Sequence, residues 1–185
     1  MALRVIAGTA RGRRLVAPKG GARPTTDRAK EALFAMLGAV VADAVVLDLY
    51  AGSGALGLES LSRGAARAVF VDNDRRAVQA INTNVAATGF GERSHVTRSA
   101  AQTFLGHGAP GGPFDLVFVD APYDTDAAAL AAVLDALAAP GILSADALVV
   151  VERGRQAPPM LPAGWSVTWQ RAYGDTLLTV ATVSV

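Results

Sequence analysis

The sequence predicts an α/β fold, a mostly parallel sheet of seven strands with helices on both faces and an antiparallel hairpin at its C-terminal edge. Three observations carry this. From Val45 onward, short apolar runs alternate with segments of helical periodicity, the pattern of consecutive strand-helix-strand units. The first run empties into the glycine turn Ala51-Gly-Ser-Gly-Ala-Leu-Gly57, as in sheets whose ligand crevice opens beyond the strand C-termini. The last two runs, 165–171 and 176–183, are joined by the turn Tyr173-Gly-Asp175 with no helix between them. They pair antiparallel, because a parallel pair needs a crossover of roughly a dozen residues.

Taken in order, residues 3–8 and 13–17 are β-prone runs separated by the turn region Gly8 to Gly12, which reads as a hairpin. After the loop Pro18 to Pro24, Thr25 or Thr26 caps a helix that carries Ala29, Leu33, Phe34 and Leu37 at helical spacing and ends near Gly38. Residues 1–40 are therefore expected to form a basic extension, hairpin plus helix, ahead of a domain over 41–185. That domain begins with a strand at 45–50, a helix at 56–63, a strand at 68–72 and a helix at 75–87. A weak strand around Val96 precedes the segment 100–105. A strand at 114–119, a Pro turn, an alanine-rich helix at 125–137 and a strand at 147–152 lead to the final hairpin.

At 185 residues the chain has the size of one domain, and 51% hydrophobic against 18% charged residues with a mean hydropathy of +0.32 excludes a disordered or collagenous chain. No window approaches the ~20 unbroken apolar residues of a membrane span. Residues 1–18 hold scattered arginines in place of a leader's basic segment and apolar run, so a soluble, cytoplasmic monomer without membrane contact is expected. The absence of cysteine removes disulfides, thiolate zinc sites and a Cys nucleophile. His95 and His107 are the only histidines and read as surface or filler, so no metal is expected.

Net charge is +1, but residues 1–30 hold eight basic residues against the single acid Asp27, a balance of +7 that leaves −6 over the remainder. Segregation of this kind suits a polyanion-binding arm on a mildly acidic body. Arginine dominates the arm, and its planar fork matches phosphate.

The residues that carry chemistry fall at strand ends. Gly52, Gly54 and Gly57 follow the first strand, whose own acid is Asp48, and glycines there let backbone approach a ligand closely. Asp72 ends the second strand, twenty residues after Gly52, where a carboxylate can accept from ribose hydroxyls. Asp120-Ala121-Pro122-Tyr123 follows the strand 114–119 and should face the same crevice.

With these strings the sequence resembles the S-adenosylmethionine-dependent amino-methyltransferases and, more narrowly, the RsmD family, bacterial enzymes that methylate a guanine N2 in 16S rRNA of the small ribosomal subunit. The resemblance covers nearly the whole chain and is carried by the start Arg11-Gly-Arg-Arg-Leu15, by Arg23-Pro-Thr-Thr-Asp-Arg28, by the segment Asp48 to Glu59, by Phe118-Val-Asp-Ala-Pro-Tyr123 and by Tyr173-Gly-Asp-Thr176. Ala121 stands where the family usually has the first proline of its catalytic loop.

The resemblance implies a Rossmann-like class I methyltransferase fold. It implies that Asp48, Gly52, Ser53, Gly54 and Gly57, with Tyr50 and Ala51 of the same loop, surround the methionine part of the cofactor. Asp72 then holds the ribose and Asn73 lies beside the adenine. Ser99 and Ala100 occupy the place where many relatives contact the adenine amine through Asp or Asn. Asp120 to Tyr123 becomes the catalytic loop, with Asp120 and the carbonyl of Ala121 accepting from the target amine and Tyr123 stacking on the base. Arg23 to Arg28 becomes an RNA-facing or site-closing element, and with the basic arm this gives Arg4, Arg11, Arg13, Arg14, Arg23, Thr25, Thr26 and Arg28 as the expected RNA-binding residues. The expected partner is small-subunit rRNA or the assembled subunit.

Other readings stay open from the residues alone. Similar loops serve DNA or RNA adenine-N6 and cytosine-N4 methyltransferases. The literal G-x-G-x-x-G of Gly52 to Gly57 also suits an NAD-dependent oxidoreductase, although no proton-transfer pair accompanies it. A non-catalytic RNA-binding assembly factor is the third, against which the intact Asp120 and Tyr123 argue.

Overall fold

A computed structural model describes residues 3–18 and 27–183. Its seven strands are β1 Val45–Leu49, β2 Arg67–Asp72, β3 Ser94–Arg98, β4 Phe114–Val119, β5 Leu143–Gly154, β6 Trp165–Tyr173 and β7 Thr176–Val183. They lie in the order β3-β2-β1-β4-β5-β7-β6. The first five are parallel, and β7 enters antiparallel between β5 and β6. The order reverses between β1 and β4, and ligands bind open α/β sheets in the crevice beyond the strand ends at such a reversal.

Alternation along each strand divides the core in two. Val46, Phe70, Leu116, Phe118 and Val150 face one side, beneath α1 Asp27–Leu37, α2 Ala55–Ser62 and α3 Arg75–Thr88. Leu47, Leu49, Val69, Val117, Val119 and Val149 face the other, beneath α4 Ala101–Gly106 and α5 Ala127–Leu137. Because both faces are covered, these strands read as continuous apolar runs and leave little room for polar residues. Asp48 is the exception in β1, 1% exposed on the α1/α2/α3 face.

Helix boundaries follow local chemistry. Asp126 caps α5 by accepting from Ala128 and Ala129, which starts that helix two residues later than the periodicity suggests, and Asp74 caps α3 through Arg76 N–H. The segment 100–105 is helical, as α4. Strand β5 runs past the expected 147–152 at both ends, since β4 pairs with it back at Leu143 and β7 pairs with it out to Gly154. Thr25 and Thr26, expected to cap α1, lie outside the described residues, as does Arg23.

The N-terminal hairpin is reduced. Its two runs meet in one antiparallel bridge, Arg4 opposite Arg14, with Leu15 N–H donating to Leu3 O and Val5 N–H to Arg13 O. No full ladder forms, because the intervening turn spends its donors on α2: Ile6 and Ala7 N–H go to the Glu59 carboxylate and Ala10 N–H to Ser62 Oγ. Gly8 permits this approach, having φ +81°, and a Cβ there would fall 1.8 Å from Ser62 O. Val5, Ala10 and Leu15 are buried in the same core as α1 and α2.

Candidate active site

Two loops meet at the reversal. Strand β1 delivers Asp48 and then turns through Tyr50, held at φ +59°, a conformation that costs a non-glycine residue about 1–2 kcal/mol. Gly52 (φ +57°) and Gly54 (φ +75°) complete the turn into α2. Strand β4 ends in the second loop, Asp120 to Tyr123. Between them opens a cavity of about 700 Å³, within the range of small-molecule sites.

Asp48, Tyr50 to Ser53, Asp72, Asn73, Lys30, Asp120 to Asp124 and Glu152 line it, together with Leu3, Ala17 and Pro18 of the extension, which roofs it. Asp48 Oδ2 accepts from Gly57 N–H at 3.0 Å. Asp72 Oδ2 accepts from Gly52 N–H at 2.8 Å, and its Oδ1 from Asp74 N–H at 2.9 Å. Each carboxylate oxygen keeps a further lone pair for a ligand. Both acids thereby fix the glycine loop while facing the cavity.

Other expected cofactor residues lie elsewhere. Gly54 and Gly57 do not line the cavity; a Cβ on Gly57 would sit 2.4 Å from the Phe70 ring, so this glycine lets α2 settle onto the sheet. Ser99 and Ala100 lie outside the lining too, with Ser99 N–H bonded to Asp72 O and Ser99 Oγ to Ala100 O.

The electrostatics are governed by burial. Desolvation raises Asp48 from 3.8 to about 7, opposed by the Gly57 N–H and assisted by Asp72. Asp120 is also pushed well above the ordinary carboxylate range, first by burial and then by the neighbouring Glu152 and Asp48. Tyr123 is raised by burial, although the residue is 56% exposed and its hydroxyl lies 3.0 Å from Thr176 Oγ1. Tyr123 thus stands at the cavity mouth with its tip anchored.

Several site residues escaped the sequence reading. Arg153, buried in β5, donates to Pro122 O and Thr125 O, both at 3.1 Å, and so clamps the Asp120 loop from behind. Lys30 is 1% exposed, donates to Arg4 O at 2.7 Å and lies 3.7 Å from Glu59 Oε2. Burial lowers its pKa, with Glu59 opposing. Glu59 is fully buried and also accepts from Arg63 Nε at 2.7 Å. The signal available was a charged residue inside the otherwise small and apolar run Leu56 to Leu61. Asn84, also fully buried, bonds both polar groups of Val16 and the carbonyl of Ser53, joining extension to glycine loop.

Sheet order, glycine loop, strand-end acids and the Asp120 loop around one cavity define a class I methyltransferase, the class whose methyl donor is S-adenosylmethionine. The family described as conserved hypothetical protein 95 matches residues 3–182. The chain belongs to that family, the RsmD family of its sequence resemblance.

It is 41% identical over 175 residues to the ribosomal RNA small subunit methyltransferase D of Escherichia coli strain K12, covering 94% of this chain and 86% of that one. It is 34% identical over 174 residues to the protein of the same name from Haemophilus influenzae strain Rd, covering 93% and 89%. Among solved structures, E. coli yhhF superposes with a TM-score of 0.85 at 39% identity, covering 100% of this chain and 99% of that one. A protein from Thermus thermophilus superposes with a TM-score of 0.80 at 36% identity, covering 98% and 99%.

Proposed function

We propose that the protein transfers the methyl group of S-adenosylmethionine to the exocyclic N2 of a guanine in small-subunit (16S) rRNA, during or after subunit assembly. The carrying observation is that the Asp48 to Ser53 loop and the Asp120 to Tyr123 loop share one cavity, with the exposed Arg11, Arg13 and Arg14 borne by the segment that roofs it. The names of the E. coli and H. influenzae relatives support ribosomal RNA as substrate.

The cavity suits the cofactor chemically. Asp72 offers carboxylate lone pairs to a ribose diol, and the acidic Asp48 complements a cationic methionine moiety. When bound, S-adenosylmethionine supplies an electrophilic methyl on a sulfonium. The chain's residues do the rest. A guanine amine is a poor nucleophile because its lone pair is delocalised into the ring. Asp120 and the Ala121 carbonyl accept its N–H bonds, favour a pyramidal nitrogen and offset the positive charge that develops there. Tyr123 stacks on a base taken out of its helix or loop, worth roughly 1–3 kcal/mol. No strong base is required, since the methylated amine loses its proton readily. Ala121 offers the same carbonyl a proline would, and Arg153 supplies rigidity to the loop.

The test supplies methyl-labelled cofactor with naked rRNA, small subunits from cells lacking the enzyme, and total DNA, followed by nucleoside analysis. Label in N2-methylguanosine from rRNA or subunits is expected. Label in methyladenine or methylcytosine reassigns the base, and none in any fraction points to an assembly factor.

A further inference from the structure

Strands β4 and β5 are parallel with Phe118 opposite Val150 and Val119 opposite Val151. Carrying that register one residue further sets Asp120 beside Glu152. The pleat turns both toward the face of Phe118 and Val150, and Asp48 shares it, being registered to Phe118. Glu152 is 4% exposed, follows the apolar run Leu148 to Val151, and lines the same cavity as Asp120 and Asp48. It acts on Asp120 more strongly than Asp48 does, and it also reaches the Tyr123 hydroxyl.

Side-by-side carboxyl groups in a buried place raise the energy of the protein on its own. Without ligand the pair eases that repulsion by holding a proton, the direction in which Asp120 is pushed. A ligand carrying two adjacent donors favours the ionised, accepting form of both groups and releases that proton. Guanine presents N1–H and N2–H next to one another on its Watson–Crick edge, whereas adenine N1 and cytosine N3 are acceptors whose lone pairs a carboxylate repels.

We propose that Glu152 is a base-reading residue, which with Asp120 forms a two-acceptor wall that selects guanine through its N1–H and N2–H donors. The inference rests on the guanine assignment above and deepens it by naming the residue that rejects other bases.

The discriminating substrate is an RNA in which the target guanine is replaced by 2,6-diaminopurine, which keeps the N2 amine but turns N1 into an acceptor. The intact protein is expected to prefer guanine in kcat/KM by ~10-fold or more, since leaving a buried acceptor facing a lone pair is heavily disfavoured. Glu152→Gln can turn an N–H toward N1, so it is expected to reduce that preference at least ~10-fold, chiefly through guanine loss. Competition binding of the two RNAs without cofactor should show the same ordering. If the intact protein treats both RNAs alike, the two-acceptor wall is wrong, whatever the variant does. If guanine is preferred and Glu152→Gln, folded by its melting curve, retains the full ratio, Glu152 is not the reader while the guanine assignment stands. Should the intact protein label adenine or cytosine instead, the assignment itself fails and this inference goes with it.

Discussion

Asp48 shows what burial does to one side chain. Its folded value of about 7 lies above its ordinary 3.8, so the native protein holds a proton between those limits that the unfolded chain has released. Stability linked to this group is complete below about pH 4 and is lost as pH rises toward 7, at ~1.4 kcal/mol per unit of difference. Asp120, shifted in the same direction, adds a slope of the same sign. The denaturation midpoint of the ligand-free protein is therefore expected to fall between pH 5 and 7.5. Asp48→Asn should flatten that dependence without removing it, and an unchanged slope would show that Asp48 is not the group responsible. A cationic ligand favours the ionised form, so its stabilising effect should grow over the same window. Asp48 was legible as a site residue because it ends a strand before glycines. Gly57 carries a different lesson, since a glycine can serve a ligand's approach or a helix's, and only the position of Phe70 decides.

At the scale of elements, strands and helices from Val45 onward were readable because period-two and period-3.6 patterns are strong where both faces of a sheet are covered. The extension was less so. Its β-prone runs suggested a hairpin, but three of its amides are bonded to α2 side chains that lie over fifty residues away in sequence. Glu59 organises this joint by taking Ile6 and Ala7 N–H together with Lys30 and Arg63. Replacing it leaves a buried lysine without its counter-charge, a change that typically costs ~3–5 kcal/mol. Glu59→Ala is expected to lower stability by about that amount and to make residues 3–18 protease-sensitive before the rest unfolds. Proteolysis of native protein with mass analysis checks this; full protection of 3–18 in a folded variant would assign the docking to the apolar contacts of Val5 and Leu15.

For the whole molecule, the charge split suggests a basic arm, and the structure refines which charges remain available. Lys30 belongs to the +7 by sequence yet is buried at the cavity wall, and Arg4 pairs with Asp27 at 3.4 Å. Arg11, Arg13 and Arg14 are exposed. Each phosphate contact contributes ~0.7–0.9 to the slope of log affinity against log salt. Changing all three to alanine is expected to reduce the slope of RNA binding by up to ~2–3 with the melting temperature nearly unchanged. An identical slope would move the RNA-facing surface elsewhere. Sequence could not separate these cations, because whether an arginine or lysine meets solvent depends on where the arm docks.

The docking of the arm also governs how its role can be dissected. Leu3, Ala17 and Pro18 roof the cavity, and Asn84 ties Val16 to the carbonyl of Ser53 in the glycine loop. Deleting the first eighteen residues therefore removes part of the chamber's lining and one tie to its glycine loop at the same stroke as it discards the arginines. A shortened chain that fails to methylate would report a leaking vessel as readily as a lost grip on nucleic acid, and exchanging the exposed arginines one at a time keeps the two apart.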